Sequence, residues 1–169
     1  MSIGRLIRGM VQSLLTLSLL SAPSTFYASR SAQSAPNIAV SGHLSGKETR
    51  GRTLQGVVIM DIPAGFHVNS ARPLEKFLIA TELQLEAPKG VRIGRVIYPR
   101  PVFRKLKFSK KQVSVYEGRA TMRFTVTLPG SVGSDIAEVK ARLRYQSCND
   151  DFCFPPQTRE LRMPIGKGG

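Results

Sequence analysis

The chain has little of what most catalytic and metal-binding sites are built from: two cysteines, two histidines and 11 acidic residues in 169. His43 and His67 fall in different strand regions with no cluster of cysteines beside either, so no metal site is expected. No Ser-His-Asp order, phosphate-binding glycine loop or carboxylate pair at a defined spacing is present, which removes hydrolysis and nucleotide chemistry. Internal repeats and low-complexity tracts are also lacking. The longest apolar run, Met10 to Leu20, is only about a dozen residues, short of the roughly 20 that cross a bilayer as a helix. No amphipathic stretch is long enough to be a helix covering a parallel sheet, and 15 glycines with 11 prolines imply many turns instead.

What is present begins with an export pattern. Arg5 and Arg8, the apolar run, and the small and polar residues from Ser21-Ala22-Pro23 follow the order of a secretory signal. Residues 1–28 are therefore expected to be a signal peptide, cleaved or retained as an anchor, 29–37 a polar tether, and 38–166 one domain with one core. The expected location is periplasmic. No cysteine near the junction offers a thiol for a lipid anchor.

Charge is one-sided, +14 over the chain, of which Arg5, Arg8 and Arg30 lie in the leader and tether. Cations are densest between Arg92 and Arg123, where Glu117 is the single acid. Such a stretch attracts nucleic acid or an anionic surface in some proteins. Without any nucleic-acid motif, it reads as a solvated face that steers acidic partner proteins, and no nucleic acid is expected to bind.

Ala120, Met122, Phe124, Val126 and Leu128 alternate with polar residues, as do Val139, Ala141, Leu143 and Tyr145, the period of two that marks strands with one buried face. Less regular runs at 39–44, 54–62, 77–85, 91–98, 113–116 and 158–163 are separated by Pro63-Ala64-Gly65, Pro88-Lys89-Gly90, Glu117-Gly118 and Pro129-Gly130. About eight short strands at this spacing predict an all-β, antiparallel, immunoglobulin-like sandwich. Two loops interrupt it, Gly65 to Pro73 and Pro99 to Phe103, and loops of this kind often carry function.

Four residues separate Cys148 from Cys153, with turn formers between them, so a short hairpin is expected to bring their Cα atoms to roughly 4.5–5.5 Å, within reach of a disulfide. The loop closed is so short that stapling contributes less than the roughly 3 kcal/mol of a 15-residue loop. If the alternation of 139–145 runs on unbroken, Cys148 falls with Arg144 and Gln146 on the polar face, where it is reachable. A reversible redox pair is then the expectation, with an inert surface disulfide as the alternative. Asp150 and Asp151 disfavour a thiolate whereas the basic background favours one, leaving open which cysteine attacks. His67 is expected to serve as a loop hydrogen-bonding residue, Tyr145 as packing that also orients the pair, and Phe152 as an exposed hairpin aromatic.

Tyr145-Gln146-Ser147-Cys148 and Cys153-Phe154-Pro155-Pro156 resemble the active-site signature of the DsbD N-terminal domain family. Gly65-Phe66-His67-Val68-Asn69-Ser70 with Pro73, Pro88-Lys89-Gly90-Val91, Tyr98-Pro99 and Val115-Tyr116 follow in the family's order, so the resemblance spans Val40 to Ile165. It implies an immunoglobulin-like fold that exchanges electrons through Cys148 and Cys153 with thioredoxin-like exported proteins, and links the chain to cytochrome c biogenesis. Phe66, His67 and Asn69 would line the pair with Tyr145 and Phe152, and a cap loop with Tyr98 or Phe103 as its aromatic would shield it. Where the family carries acids before that aromatic, Arg95 and Val96 stand here. DsbD joins this module to a membrane domain and a thioredoxin-like domain that these residues do not include, so the electron donor is expected to be a separate membrane protein. No cofactor and no small-molecule ligand are expected. The other reading is a non-catalytic immunoglobulin-like binding module with a fixed disulfide.

Overall fold

The structure, a computed structural model, describes residues 34–46, 53–129 and 137–165. The expected signal segment lies outside them, as does the start of the tether. Eleven strands are present among the described residues: β1 (Ala39–Ser45), β2 (Thr53–Asp61), β3 (His67–Asn69), β4 (Glu82–Glu86), β5 (Arg92–Ile93), β6 (Val102–Lys105), β7 (Gln112–Tyr116), β8 (Arg119–Thr127), β9 (Ala137–Tyr145), β10 (Ser147–Cys148) and β11 (Gln157–Ile165). All pairings are antiparallel, in three sheets ordered β1-β2-β8-β5, β10-β3-β7-β6 and β11-β9-β4. With no helix among the described residues, the all-β sandwich class is as expected.

The β1-β2-β8-β5 and β11-β9-β4 sheets, which hold the long strands, face one another because their central strands alternate. Leu54, Val58 and Met60 of β2 and Ala120, Met122, Phe124 and Val126 of β8 point inward against Val139, Ala141, Leu143 and Tyr145 of β9. Each large side chain removed from water in this way contributes about 1.5–3 kcal/mol, so this seam dominates the stability of the domain. Gly56, paired with Phe124 across β2 and β8, has a packing reason to be glycine: a Cβ there would lie 2.3 Å from the Phe124 ring. The ring occupies the space a side chain would need.

Two expected strands and two expected loops change. The run 77–85 forms a strand only from Glu82, because Ser70 accepts from the Thr81 amide and the side chains of Asn69 and Gln146 take the carbonyl and amide of Ile79 in place of a strand partner. The run 91–98 is a strand at Arg92–Ile93 and then a single bridge at Ile97, with Gly94 pressed so close that a Cβ would meet Thr125 Oγ1 at 2.2 Å. Both expected loops contain strands, β3 in the first and the start of β6 in the second, too short to announce themselves by periodicity.

The small sheet, β10-β3-β7-β6, built of short strands, positions the site. Its register places His67 opposite Cys148, Asn69 opposite Val115, and Arg104 opposite Val113, so these residues share one face. Val68, Tyr116 and Ser147 lie on the other face, where Val68 and Tyr116 join the main core. The first face carries a second, smaller cluster of Leu78, Leu106, Val113 and Val115, against which Phe108 and Cys153 pack.

Candidate functional site

Cys148 and Cys153 form a disulfide, with Cα atoms 3.9 Å apart, closer than the expected roughly 4.5–5.5 Å. The closeness follows from the hairpin. Phe154 donates to Ser147 O at 2.9 Å and Asn149 donates to Phe152 O at 3.0 Å, which makes the cysteines a non-hydrogen-bonded pair, the narrower kind in an antiparallel ladder. Asn149 Oδ1 closes the turn by accepting from the amides of Asp151 and Phe152.

The expected exposure of Cys148 is corrected: it is 0% exposed, and Cys153 is the half-buried, accessible member. The alternation that put Cys148 on the polar face does not continue. The β9 strand ends at Tyr145, and Gln146 carries the chain out of the β11-β9-β4 sheet into the small sheet, where β10 takes a new phase. Gln146 is held at this step by its side chain, whose Oε1 accepts from Ile79 N and Asn69 Nδ2 and whose Nε2 donates to Phe154 O.

Around the pair, β3 delivers two of the expected neighbours. His67 is Cys148's cross-strand partner, and Asn69 places Oδ1 3.9 Å from Cys148 Sγ. His67 departs from its expected role: it is buried in a strand and its Nε2 has no hydrogen-bond partner among the described residues. Phe66 packs on the main core with its ring 6.0 Å from that of Phe154, which in turn meets the half-exposed Phe152 edge-on at 5.0 Å. Tyr145 sits in the main core, its hydroxyl donating to Gln157 Oε1, and so lies behind the site.

Neither expected cap aromatic faces the cysteines. The Tyr98 hydroxyl accepts from Leu83 N while its ring packs on the main core. Phe103 pairs with Ser114, which sends it to the opposite face of the small sheet from Cys148, 53% exposed. The residues that do reach the site come from the loop between β6 and β7. Phe108 stacks on His67 at 6.5 Å between centroids, Lys107 N donates to Asp150 O, and Lys107 Nζ meets Asp151 Oδ1 at 2.8 Å. The sequence did hold a signal for this loop: lysines flanking an aromatic in a turn, opposite a hairpin that carries Asp150 and Asp151.

Burial holds the His67 imidazole below its usual 6.5, against the pull of the Glu117 and Asp150 carboxylates and with a small push from Arg104. Glu117 itself is lowered by its two hydrogen bonds from Arg104, at 2.7 and 2.6 Å. A depressed histidine binds protons more readily when unfolded. Stability is therefore unaffected above about pH 6.5 and falls as pH drops below it, by at most about 1.4 kcal/mol per pH unit, until the native pKa is passed. Denaturant midpoints between pH 7.5 and 5.5, taken here as roughly the histidine window, should drop for the wild type and drop less for His67→Gln. Equal drops would contradict a buried neutral His67.

The family model for the N-terminal part of the thiol:disulfide interchange protein DsbD matches residues 44–164. The chain belongs to the DsbD N-terminal family. Thiol:disulfide interchange is the chemistry of that family, and a DsbD N-terminal domain is a periplasmic domain. Among solved structures, the chain is similar to the Neisseria meningitidis DsbD N-terminal domain in the reduced form, at 20% identity over 77% of this chain and 86% of that one, with a TM-score of 0.45. It is also similar to the GAE domain of GGA2p from Saccharomyces cerevisiae, at 12% identity over 78% and 94%, with a TM-score of 0.38. No curated protein matches it. In this DsbD N-terminal domain the two cysteines form one disulfide, Cys148–Cys153.

Proposed function

We propose that this chain is an exported exchange module whose Cys148–Cys153 pair receives two electrons from a membrane protein in a separate chain and passes them to oxidised thioredoxin-like proteins. The observation that carries the reading is the asymmetry of the disulfide: Cys148 is wholly buried between β3 and the hairpin while Cys153 is only partly buried. Incoming and outgoing thiols then meet the same sulfur. In the forward direction the Cys153 thiolate attacks one sulfur of the partner's disulfide, the partner's other sulfur leaves as a thiolate, and Cys148 then attacks the Cys153 sulfur of the mixed disulfide and displaces the partner's sulfur. The Cys148 proton passes to the departing partner thiolate. The dithiol is oxidised, the partner disulfide is reduced, and two electrons move.

Phe108 acts as the cap aromatic in this reading, supported by its stack on His67 and its packing in the cluster that holds Cys153. The leader ending near residue 28 directs export, and the domain from about Ile38 does the chemistry. The basic loop residues steer acidic partners toward the pair. Equilibration of the disulfide with a glutathione buffer tests the proposal: a reversible two-electron transition supports it, and a disulfide that stays oxidised in reduced glutathione overturns it in favour of a fixed structural bond.

A further inference from the structure

We propose that Asn69 is a positioning residue of the exchange reaction, its carboxamide oxygen holding a proton on Cys148 in the reduced dithiol and so reserving attack for Cys153. The inference rests on the reading of the pair as an exchange site and deepens it.

Its basis is a hydrogen-bond network in which no side-chain amide is free to turn over. Ile79 N is a backbone donor, so the atom of Gln146 that meets it at 3.0 Å is Oε1. Phe154 O is a backbone acceptor, so the atom of Gln146 that meets it at 3.1 Å is Nε2. Asn69 approaches both that same Oε1, at 2.9 Å, and the Ile79 carbonyl oxygen, at 3.2 Å, and both are acceptors. Only the NH2 end of Asn69 satisfies them. Its Oδ1 is thereby turned toward Cys148 Sγ, 3.9 Å away, in a side chain with no solvent exposure.

In the disulfide that sulfur has no proton to give. Oδ1 is then a buried acceptor facing a weakly polar atom, a costly arrangement. Reduction supplies what is missing: a Cys148 S–H donates to Oδ1, so the network favours the dithiol over the disulfide. The same oxygen opposes a Cys148 thiolate, whose charge it would face across a dry gap, and burial acts in the same direction. Cys153 lies outside this arrangement and is the sulfur left to ionise. During exchange, Cys148 keeps its proton until the mixed disulfide forms on Cys153, then releases it to the departing partner thiolate as its sulfur bonds to that of Cys153. Asn69 therefore sets the order of the two sulfurs without bonding to either partner protein.

The test reads the Cys148 thiol directly. In a Cys153→Ser protein the ultraviolet thiolate absorbance should titrate above about pH 8.5, the ordinary cysteine value. Adding Asn69→Ala should raise the acid dissociation constant about tenfold, the worth of one buried hydrogen bond, and in the two-cysteine protein should shift the glutathione equilibrium about tenfold toward the disulfide, which is about 30 mV more negative. Gln146→Met, which removes one of the two acceptors that fix the Asn69 amide, should move both quantities the same way by less. A merely structural role would lower stability and leave both in place. A wild-type Cys148 midpoint at or below about 8.5 overturns the assignment even if neither variant folds. Unchanged values in both variants, with a disulfide that still exchanges, overturn the Asn69 role alone. A Cys148 midpoint that shifts as stated in a protein whose disulfide no thioredoxin-like partner reduces supports the Asn69 assignment and removes the exchange function.

Discussion

Cys148→Ser should accumulate a stable mixed disulfide with thioredoxin-like proteins, whereas Cys153→Ser should accumulate almost none. The reason is the burial of one sulfur and the exposure of the other across a single bridge. With Cys153 present and its partner gone, the first attack proceeds and the second has no thiol to complete it. With only Cys148 present, the remaining thiol lies behind β3 and the hairpin, where an incoming disulfide does not reach it. Turnover should fall by about a thousandfold or more in either variant, as it does when a nucleophile is removed from a site that acts as a unit. Stability should fall far less, by under about 3 kcal/mol, because the loop closed is so short. Non-reducing electrophoresis after mixing with an oxidised partner separates the outcomes. Equal trapping through both cysteines would show that the hairpin opens fully before it reacts.

The second large effect is expected at Phe108. Its ring stacks on His67 and packs in the cluster containing Cys153, while Lys107 in the same loop is bound to the hairpin at Asp150 and Asp151. An aromatic pair of this kind is worth about 0.5–1.5 kcal/mol beyond its area, so Phe108→Ala should speed reduction of the disulfide by a small thiol on the order of tenfold. Lys107→Ala should do less, since water screens an exposed ion pair, and the effect should vanish in high salt. Dithiothreitol reduction rates followed by alkylation and mass measurement decide the matter. A rate unchanged in Phe108→Ala would remove the loop between β6 and β7 as a cap.

Much of this was legible in the residues. The strict alternation of 120–128 and 139–145 marked the two strands that face each other across the core, because burial of one sheet face writes itself into sequence at a period of two. The cysteine hairpin was legible for a different reason: polar turn formers between two cysteines leave little other geometry. Asn69 and His67 were named as neighbours of the pair, but the resemblance rather than any pattern brought them there, since a three-residue strand has no period to read. Gln146 shows where the reading failed. Continuing the β9 alternation through it placed Cys148 in solvent, whereas three hydrogen bonds hold Gln146 at a crossing between sheets and reset the phase. Register decided the cap in the same way. Phe103 and Phe108 are both aromatic residues in a basic stretch, and only the pairing of Phe103 with Ser114 shows that it points away from the cysteines.

If the Cys148–Cys153 bond is a working redox couple and not a staple, its reduction potential, measured by equilibrating the domain in graded glutathione or dithiothreitol buffers, should show a reversible two-electron transition above about −300 mV. A potential well below that value, where structural disulfides lie, would make the bond a fixed one.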